Sequence, residues 1–391
     1  MIQKLFILLI CVSVFGQNST SIYLNPRADV DSRVADLMSR MTLEEKVGQM
    51  CQYVGLEYLK KQKRNKKAAG NVSMLNKDAF AMYGLSENEI LQEIIDGKIG
   101  SFLHVLDPEE VNYLQGFTLQ SRLKIPLIIG IDAIHGNAMV RGTTVYPSPI
   151  SIAATFNNDF AYDVAKQCAR EMRATGSQWT FMPNVDVARD PRWGRVGETF
   201  GEDPFMVGEM GKAMIKGFQG DDLSRPDTIA ACAKHFAGYA FAEAGRDYNT
   251  VDVSNTTLHN TILPPFKAAA EAGVATFMNS FSELDGVPAT ADAYLQNTLL
   301  KAQWDYRGLV VSDWDSIGEM QEHGYSADLS QAAAQAMNAG NDIDMESAAY
   351  IGHLAGLVKS GEVAETVVDN AVRRVLALKY RLGLFEDPYR Y

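Results

Sequence analysis

Short apolar runs alternate with longer stretches of helical periodicity along most of the chain. The apolar runs are bounded by Gly, Asp or Pro, as strand ends typically are. They predict strands over residues 99–105, 125–131, 179–187, 229–236, 274–279, 308–312 and 342–345. The stretches between them predict helices over residues 159–175, 204–219, 258–272 and 326–339.

This alternation predicts an α/β fold with a parallel sheet, either doubly wound or closed into a barrel. Seven or eight β-α units in about 300 residues favour the (β/α)8 TIM-like barrel. Upstream of these units, apolar residues recur at spacings of three and four and predict a largely helical segment over residues 32–53. Within it, Thr42 and Glu45 have the spacing of a capping box, which marks the start of a second helix.

The first sixteen residues have the composition of a signal peptide. Lys4 precedes an apolar run over residues 5–15, and Gln17 would be the first residue after cleavage. The run is too short to cross a bilayer of about 30 Å as a helix. We therefore expect export to the periplasm or the extracellular space, with a buried N-terminal helix or a lipid anchor on Cys11 as alternatives.

The composition sets limits on the class of protein. The 391 residues are 47% hydrophobic and 21% charged, which is ordinary for a globular protein and excludes a disordered or collagen-like chain. A net charge of −12 provides no basic surface for nucleic acid. The basic stretch over residues 60–67 is interpreted as a solvated loop. No second long apolar run follows the signal peptide, so we expect no membrane association after cleavage.

No metal or organic cofactor is indicated. Cys51, Cys168 and Cys232 would remain after cleavage, and none has the C-x-x-C spacing of a zinc or redox site. We expect free buried thiols, with one disulfide as the alternative. No Gly-x-Gly-x-x-Gly follows the first strands and no Gly-Lys-Ser/Thr loop occurs, which disfavours dinucleotide and P-loop chemistry.

Charged and polar residues follow several of the predicted strands. In a barrel the active site lies at the carboxyl ends of the strands, so these side chains should converge on one rim. They are Asp132, Arg195, Lys234, His235 and Asp313, with Trp314 beside them. Carboxylates and cations can hydrogen-bond the hydroxyls of a sugar, and an indole packs on its apolar face. A carboxylate beside cations also stays ionised and can act as a nucleophile.

Several motifs resemble those of glycoside hydrolase family 3. They are Asp-Pro-Arg-Trp-Gly-Arg-Val-Gly-Glu-Thr-Phe-Gly-Glu-Asp-Pro over residues 190–204, Lys-His-Phe over 234–236, and Val-Ser-Asp-Trp over 311–314. The segments over residues 245–252 and 383–389 are similar to the secreted and periplasmic β-glucosidases of that family. The resemblance implies an N-terminal (β/α)8 barrel domain over residues 17–385 after a signal peptide over 1–16. Residues 386–391 would begin a linker.

The resemblance also implies a role for each matched position. Asp313 matches the nucleophile that forms a covalent glycosyl-enzyme, and Asp132 matches the carboxylate that holds sugar hydroxyls. Arg195, Lys234 and His235 match further binders of the same ring, and Met278 and Trp314 would line the pocket. The implied substrate is a β-linked gluco-oligosaccharide or an aryl β-glucoside, hydrolysed with retention. Phe281 stands where many members of the family have Tyr.

The family's acid/base glutamate comes from a C-terminal α/β sandwich domain, and we expect that domain to be absent from this chain. A separate sandwich-domain partner could then supply the acid. Without one, turnover would be impaired, because such assistance contributes about 10²–10⁴-fold. A sugar-binding or degenerate barrel without turnover is therefore an alternative function. Within the family, β-xylosidase or α-arabinosidase activity is the nearest alternative to β-glucosidase activity.

Some assignments have competing interpretations. Asp315 is an alternative nucleophile, and Lys234 could be the amine of a Schiff-base lyase. Glu198 is interpreted as a structural partner of Arg195 or Arg192. His104, His259, His323 and His353 are interpreted as core histidines.

Overall fold

A computed structural model describes residues 21–61 and 85–389. The predicted signal peptide and residues 62–67 of the basic stretch lie outside these ranges. The strands within them, in chain order, are β1 (Cys51–Val54), β2 (Ser101–Leu103), β3 (Ile128–Ile131), β4 (Trp179–Thr180), β5 (Cys232–Phe236), β6 (Thr276–Asn279), β7 (Glu283–Leu284), β8 (Val287–Pro288), β9 (Leu309–Val311) and β10 (Asp344–Met345).

Helices connect the strands. They are α1 (Val30–Met38), α2 (Leu43–Gln49), α3 (Glu87–Ile95), α4 (Pro108–Thr118), α5 (Pro149–Ala153), α6 (Asn158–Ala174), α7 (Pro204–Gln219), α8 (Asn255–Thr257), α9 (Leu263–Glu271), α10 (Leu329–Ala339), α11 (Ala355–Ser360) and α12 (Glu365–Arg381). Residues 56–61 are also helical, and π-helical segments span Leu258–Ile262, Tyr294–Gln303 and Tyr350–Leu354. Of the described helices, none combines the length and the apolar character that a membrane span requires.

The strands form two parallel sheets and one hairpin. The five-stranded sheet has the order β10-β1-β2-β3-β4 and is a parallel half-barrel, while the three-stranded sheet has the order β5-β6-β9. Isolated parallel bridges join Trp179 to Ala230 and Val311 to Ile343, so strand-like contacts continue from one sheet to the other. The α/β fold with parallel strands is thus confirmed, and β7 pairs with β8 antiparallel in the loop after β6.

The first strand corrects the prediction of a largely helical segment over residues 32–53. The Thr42–Glu45 capping box is present, but α2 ends at Gln49 and β1 begins at Cys51. All four residues of β1 are buried, and the strand pairs with β2 on one side and β10 on the other. Burial between two neighbouring strands therefore outweighs the local helical pattern, since strand formation depends strongly on packing context.

The strand predicted over residues 179–187 is also shorter than expected. β4 covers only Trp179 and Thr180, and the chain continues without ladder pairing apart from a bridge between Asn184 and Lys234. Pro183 falls in this stretch, and proline has no N–H to donate to a ladder. The irregular backbone after β4 carries Asp186 towards the loop that holds Arg195.

Lys379 of α12 lies against the amino-terminal side of the half-barrel. Its Nζ donates to Gln49 Oε1 at 2.6 Å, Gly100 O at 2.8 Å and Pro126 O at 2.7 Å. Gln49 precedes β1, Gly100 precedes β2 and Pro126 precedes β3. One buried lysine side chain therefore contacts three acceptors on segments that enter neighbouring strands, although burial lowers the pKa of its amino group well below the ordinary value.

The three described cysteines are buried and unbonded to one another. Cys51 lies in β1, Cys168 in α6 and Cys232 in β5. Burial raises the pKa of each thiol, that of Cys232 to about 12. The predicted free buried thiols are confirmed in this part of the chain.

Candidate active site

Asp132 directly follows β3, and two basic side chains hold its carboxylate. Lys234 Nζ donates to Oδ1 at 2.8 Å, and His104 Nε2 lies 3.2 Å from Oδ2. Burial alone would raise the pKa of Asp132, but Lys234 and then His104 hold it well below its ordinary value. The carboxylate is therefore ionised, and with a side chain 29% exposed it can still accept hydrogen bonds from a ligand.

Lys234 is itself buried in β5. Burial alone would lower the pKa of its ammonium, but the Asp132 carboxylate outweighs burial and the pKa is raised. A Schiff base requires a neutral amine. The ion pair with Asp132 therefore counts against the lyase alternative and favours Lys234 as a fixed cationic donor.

Lys234 and His235 are consecutive residues of β5, so regular alternation would direct their side chains to opposite faces of the sheet. The register of β5 against β6 shifts between Ala233 and Phe236. Such irregularities re-aim side chains next to functional sites. Here Lys234 reaches Asp132, while His235 Nε2 lies 3.4 Å from Asp313 Oδ2. Both side chains thus belong to one site.

His235 is fully buried, and its other ring nitrogen faces a second carboxyl group. Nδ1 lies 2.7 Å from Asp186 Oδ2, which also accepts the backbone N–H of His235 at 3.3 Å. Burial, and after it Arg195 and Lys234, lowers the pKa of His235 well below its ordinary value. Burial raises the pKa of Asp186 to about 8, although Arg195 opposes it. Both directions favour a neutral Asp186–His235 pair.

Asp313 follows β9 and is 7% exposed. Its Oδ1 accepts the backbone N–H of Trp314 at 2.7 Å. Burial raises the pKa of Asp313 to about 6, while Lys234 and Arg195 oppose the rise. Burial therefore outweighs the two cations that the sequence predicts beside Asp313, yet the group remains mostly ionised at neutral pH and can act as a nucleophile.

Arg195 is fixed by the loop that carries it. Its guanidinium forms a bidentate ion pair with Glu198, with both N···O distances at 2.8 Å, and it lies 5.3 Å from the centroid of the Tyr239 ring. Trp193, buried in the same loop, donates its indole N–H to Asp247 Oδ1 at 3.0 Å. The pairing of Glu198 with Arg195, one of the two predicted, is therefore the one that forms.

An aromatic wall lies beside these polar groups. Tyr239 packs edge-on against the His235 ring at 4.9 Å between centroids, and Phe281 lies 5.5 Å from Tyr239. Tyr248 lies 4.6 Å from Phe281, and the pKa of its phenol is raised by burial and then by the Asp313 carboxylate. Phe281, where many family members have Tyr, is thus covered by a tyrosine from a different loop.

The remaining predicted residues take different positions. Trp314 is half-buried, with His104 6.4 Å and Tyr58 6.3 Å from its ring. Met278 is in β6 and belongs to the buried apolar core rather than to the polar cluster. Asp315, the alternative nucleophile, is buried. Its carboxylate lies against Gly318 of its own loop and occupies the space that a side chain at position 318 would need.

Two residues of the site escaped the sequence interpretation. The prediction of a core histidine for His104 misses its contact with Asp132; its place at the end of the first predicted strand, over residues 99–105, is the available signal. Asp186 ends the third predicted strand in the same way, but nothing in the sequence connects it to His235. Among the described residues, no group of three or more His, Cys, Asp or Glu is arranged to hold a metal ion.

Comparisons with known proteins agree with the resemblance. Residues 42–378 match the glycosyl hydrolase family 3 N-terminal domain. The chain is 37% identical over 370 residues to a periplasmic β-glucosidase of Salmonella typhimurium, covering 94% of this chain and 44% of that protein. It is 33% identical to a putative β-xylosidase of Formosa agariphila, covering 94% of this chain and 48% of that protein.

A solved structure gives the same result. The fold is similar to that of a β-glucosidase from Listeria innocua in complex with isofagomine, with a TM-score of 0.80 and 37% identity over 92% of this chain and 47% of that one. The chain therefore belongs to glycosyl hydrolase family 3. It spans about half the length of the curated relatives it matches.

Proposed function

We propose that this chain carries the catalytic centre of a retaining glycoside hydrolase that releases terminal β-D-glucosyl residues from β-glucosides, with Asp313 as the nucleophile. The observation that carries the proposal is the Asp313 carboxyl group itself. Its Oδ1 accepts the backbone N–H of Trp314, and its Oδ2 faces Nε2 of His235. The carboxyl group also lies in the electrostatic field of the Lys234 and Arg195 cations.

In the proposed reaction an Asp313 oxygen attacks the anomeric carbon of the sugar. A carbon–oxygen bond to the carboxyl group forms as the bond to the leaving oxygen breaks, and the leaving oxygen takes up a proton from a general acid. The conjugate base of that acid then takes a proton from water as the water oxygen attacks the anomeric carbon, and the bond between that carbon and Asp313 breaks, which returns Asp313 to its ionised form. Two displacements at the same carbon retain its configuration.

Other residues of the site would bind the hydroxyls of the same ring. Asp132 offers acceptor oxygens, while Lys234 and Arg195 are placed to donate. His235 is fully buried with both ring nitrogens facing carboxyl groups, so it would support the site from behind Asp313. Trp314 has a flat apolar surface suited to a sugar face. We keep Met278 as a residue beneath the pocket, since its place in the apolar core supports packing under the ring.

We also propose that the two sheets form one closed (β/α)8 barrel over residues 17–385. The single bridges between Trp179 and Ala230 and between Val311 and Ile343 support closure on both sides. Closure would bring the carboxyl ends of β3, β5 and β9 to a common rim. That rim is where active sites of such barrels lie.

The general acid is proposed to come from outside the matched region, from the sandwich domain that the family resemblance implies or from a separate partner that contains one. Asp132 and Asp313 are both tied to basic groups and are poor proton donors at neutral pH.

The Salmonella relative is named as a periplasmic protein, which supports the proposal that this chain is exported.

β-Xylosidase activity is the second candidate, favoured by the similarity to the Formosa protein. The two activities differ in whether the pocket accepts the hydroxymethyl group on carbon five. The kcat/KM values for matched 4-nitrophenyl β-glucoside and β-xyloside decide between them, and a preference for the xyloside of tenfold or more would replace the first candidate.

The nucleophile is tested with a 2-deoxy-2-fluoro β-glucoside that carries a dinitrophenyl leaving group, which needs little acid assistance. We expect mass spectrometry of the 391-residue chain to show one added glycosyl group on the peptide that contains Asp313. An Asp313→Asn variant should show none. Binding of glucose without any adduct would favour the sugar-binding alternative, and an adduct on Asp315 would overturn the assignment of Asp313.

A further inference from the structure

The two nitrogens of the His235 ring face two different carboxyl groups. Nδ1 lies 2.7 Å from Asp186 Oδ2, and Nε2 lies 3.4 Å from Asp313 Oδ2. Nε2 and Asp313 Oδ2 are both buried, and neither makes a hydrogen bond in the part of the chain that the structure describes; their mutual contact is a charge-range approach at 3.4 Å. The position of the ring protons is therefore decided by these two contacts.

The contact favours a proton between Nε2 and Asp313. If Nε2 carried a lone pair, two acceptors would face each other in a buried place, which costs free energy. The proton cannot stay on Asp313 either, because the nucleophile has to be ionised to attack. The arrangement therefore requires an N–H on Nε2.

A second proton, on Nδ1, is disfavoured. Arg195 and Lys234, both positively charged, lie close enough to oppose an imidazolium, and the ring is fully buried. A neutral ring with its proton on Nε2 has a lone pair on Nδ1, so Asp186 has to be the donor. A carboxylic acid hydroxyl at Oδ2 can donate to Nδ1 and accept the backbone N–H of His235, which matches both contacts of that oxygen.

We infer that protonated Asp186 is a positioning residue, which fixes His235 in the tautomer that directs an Nε2–H at the Asp313 carboxylate. The catalytic consequence rests on the proposed function. A donor at this place stabilises the negative charge on Asp313 when the carboxylate leaves the sugar during hydrolysis of the intermediate. It also leaves Asp313 free of a proton before attack.

The tautomer is tested on the wild-type chain with ¹⁵N-labelled histidine. We expect NMR to show the His235 ring with a protonated Nε2 and an unprotonated Nδ1 at pH 7, assigned by the loss of those signals in His235→Gln. A proton on Nδ1 alone, or on both nitrogens, would overturn the inference. This measurement does not depend on any activity.

The consequence is tested with Asp186→Asn. The amide oxygen would accept from the backbone N–H and from Nδ1, so the ring proton should move to Nδ1 and leave a lone pair against Asp313. We expect kcat to fall on the order of 10²-fold or more with a smaller change in KM, since a wrong tautomer in another imidazole–carboxylate pair is known to be this costly. Should this variant not fold, the wild-type spectrum still decides the tautomer.

Glu283→Gln is the matched control. Glu283 Oε2 lies 3.2 Å from Nδ1 of a different histidine, His323, whose Nε2 lies against the backbone oxygen of Phe281. We expect this variant to keep kcat within about threefold of wild type, because it leaves both carboxyl contacts of His235 in place. If the wild-type ring carries its proton on Nε2 but Asp186→Asn leaves kcat unchanged, the positioning role alone is overturned. If the wild-type chain has the same tautomer but is inactive, only the proposed function is overturned.

Discussion

Lys234 and Asp132 form an ion pair with an N···O distance of 2.8 Å although 102 positions separate them in the sequence. The pair links the end of β3 to the middle of β5, two strands that belong to different sheets. It keeps both side chains charged inside the protein, because the charge of each one compensates the other, whereas burial alone would favour the neutral forms. The geometry of the proposed sugar-binding residues therefore depends on how the two sheets pack together.

Lys234→Met should weaken substrate binding strongly. It removes the cation and leaves Asp132 with His104 as its remaining basic contact. We expect kcat/KM for an aryl β-glucoside to fall about 10- to 100-fold, the worth of one hydrogen bond to a charged group. Lys301→Met is the control, since Lys301 is a partly buried lysine paired with Asp342 instead. Equal kinetics in the two variants would contradict the role of Lys234.

Glu198→Gln should loosen Arg195. The amide keeps one acceptor but loses the charge and the second oxygen of the bidentate pair. We expect kcat/KM to fall about 10- to 100-fold, because small misplacements of a binding group have effects of this size. Asp190→Asn breaks an exposed arginine–carboxylate pair in the same loop, and exposed pairs contribute only about 0–1 kcal/mol. Steady-state kinetics of the two variants separate positioning from loop stability.

Asp313→Asn should stabilise the folded protein at high pH. The folded pKa of about 6 lies above the ordinary value of 3.8, so the folded state binds the proton more tightly than the unfolded state. The stability that this group contributes is fully present below the ordinary value and is lost as the pH rises through about 6. By this linkage, the advantage of the Asn variant should be about 2 kcal/mol larger at pH 8 than at pH 4.5.

Urea unfolding of wild type and variant at the two pH values measures that difference. Asp190→Asn is again a suitable control, because hydrogen bonds from Arg192 lower the pKa of Asp190 to about 2. The stability from Asp190 is present above its ordinary pKa and is lost only as the pH falls towards 2. Its variant should therefore show the same change at pH 4.5 and pH 8, and a flat response for Asp313→Asn as well would refute the pKa assignment.

Lys379→Met should destabilise the fold without altering the site. The substitution leaves Gln49, Gly100 and Pro126 with buried acceptors that lack a donor. Leaving such groups unsatisfied costs about 1–3 kcal/mol each before relaxation, so we expect a loss of about 2–4 kcal/mol in the free energy of unfolding. Lys359→Met removes an exposed lysine paired with Glu44 and serves as control. If Lys379→Met left the free energy of unfolding unchanged, water would be satisfying the three acceptors in place of the lysine side chain.

The strand-end pattern predicted much of the site. Asp132, Lys234, His235 and Asp313 were each expected at the carboxyl end of a strand, and the structure brings them within a few contacts of one another. This works because the ends of parallel strands lie along one edge of a sheet. The pairing of Glu198 with Arg195 can likewise be predicted from the sequence, since residues three apart in a tight turn are neighbours.

Other features depend on distances that the sequence does not contain. β1 follows a helical pattern and becomes a strand because β2 and β10 flank it. The register shift of β5 against β6, between Ala233 and Phe236, is likewise not indicated by the sequence. Asp186 contacts His235 across 49 positions, and no local spacing indicates that contact.

The burial of Cys51, Cys168 and Cys232 makes the described part of the protein a convenient host for site-directed labels. A thiol reagent reaches these residues only when the surrounding structure opens, and burial also keeps them in the less reactive protonated form. A single cysteine introduced at an exposed position in the loop that follows Asp132, such as Val145, would therefore react far faster than these three thiols. A fluorophore placed there would report on ligand arrival in real time, and slow labelling of the native thiols would measure opening of the core.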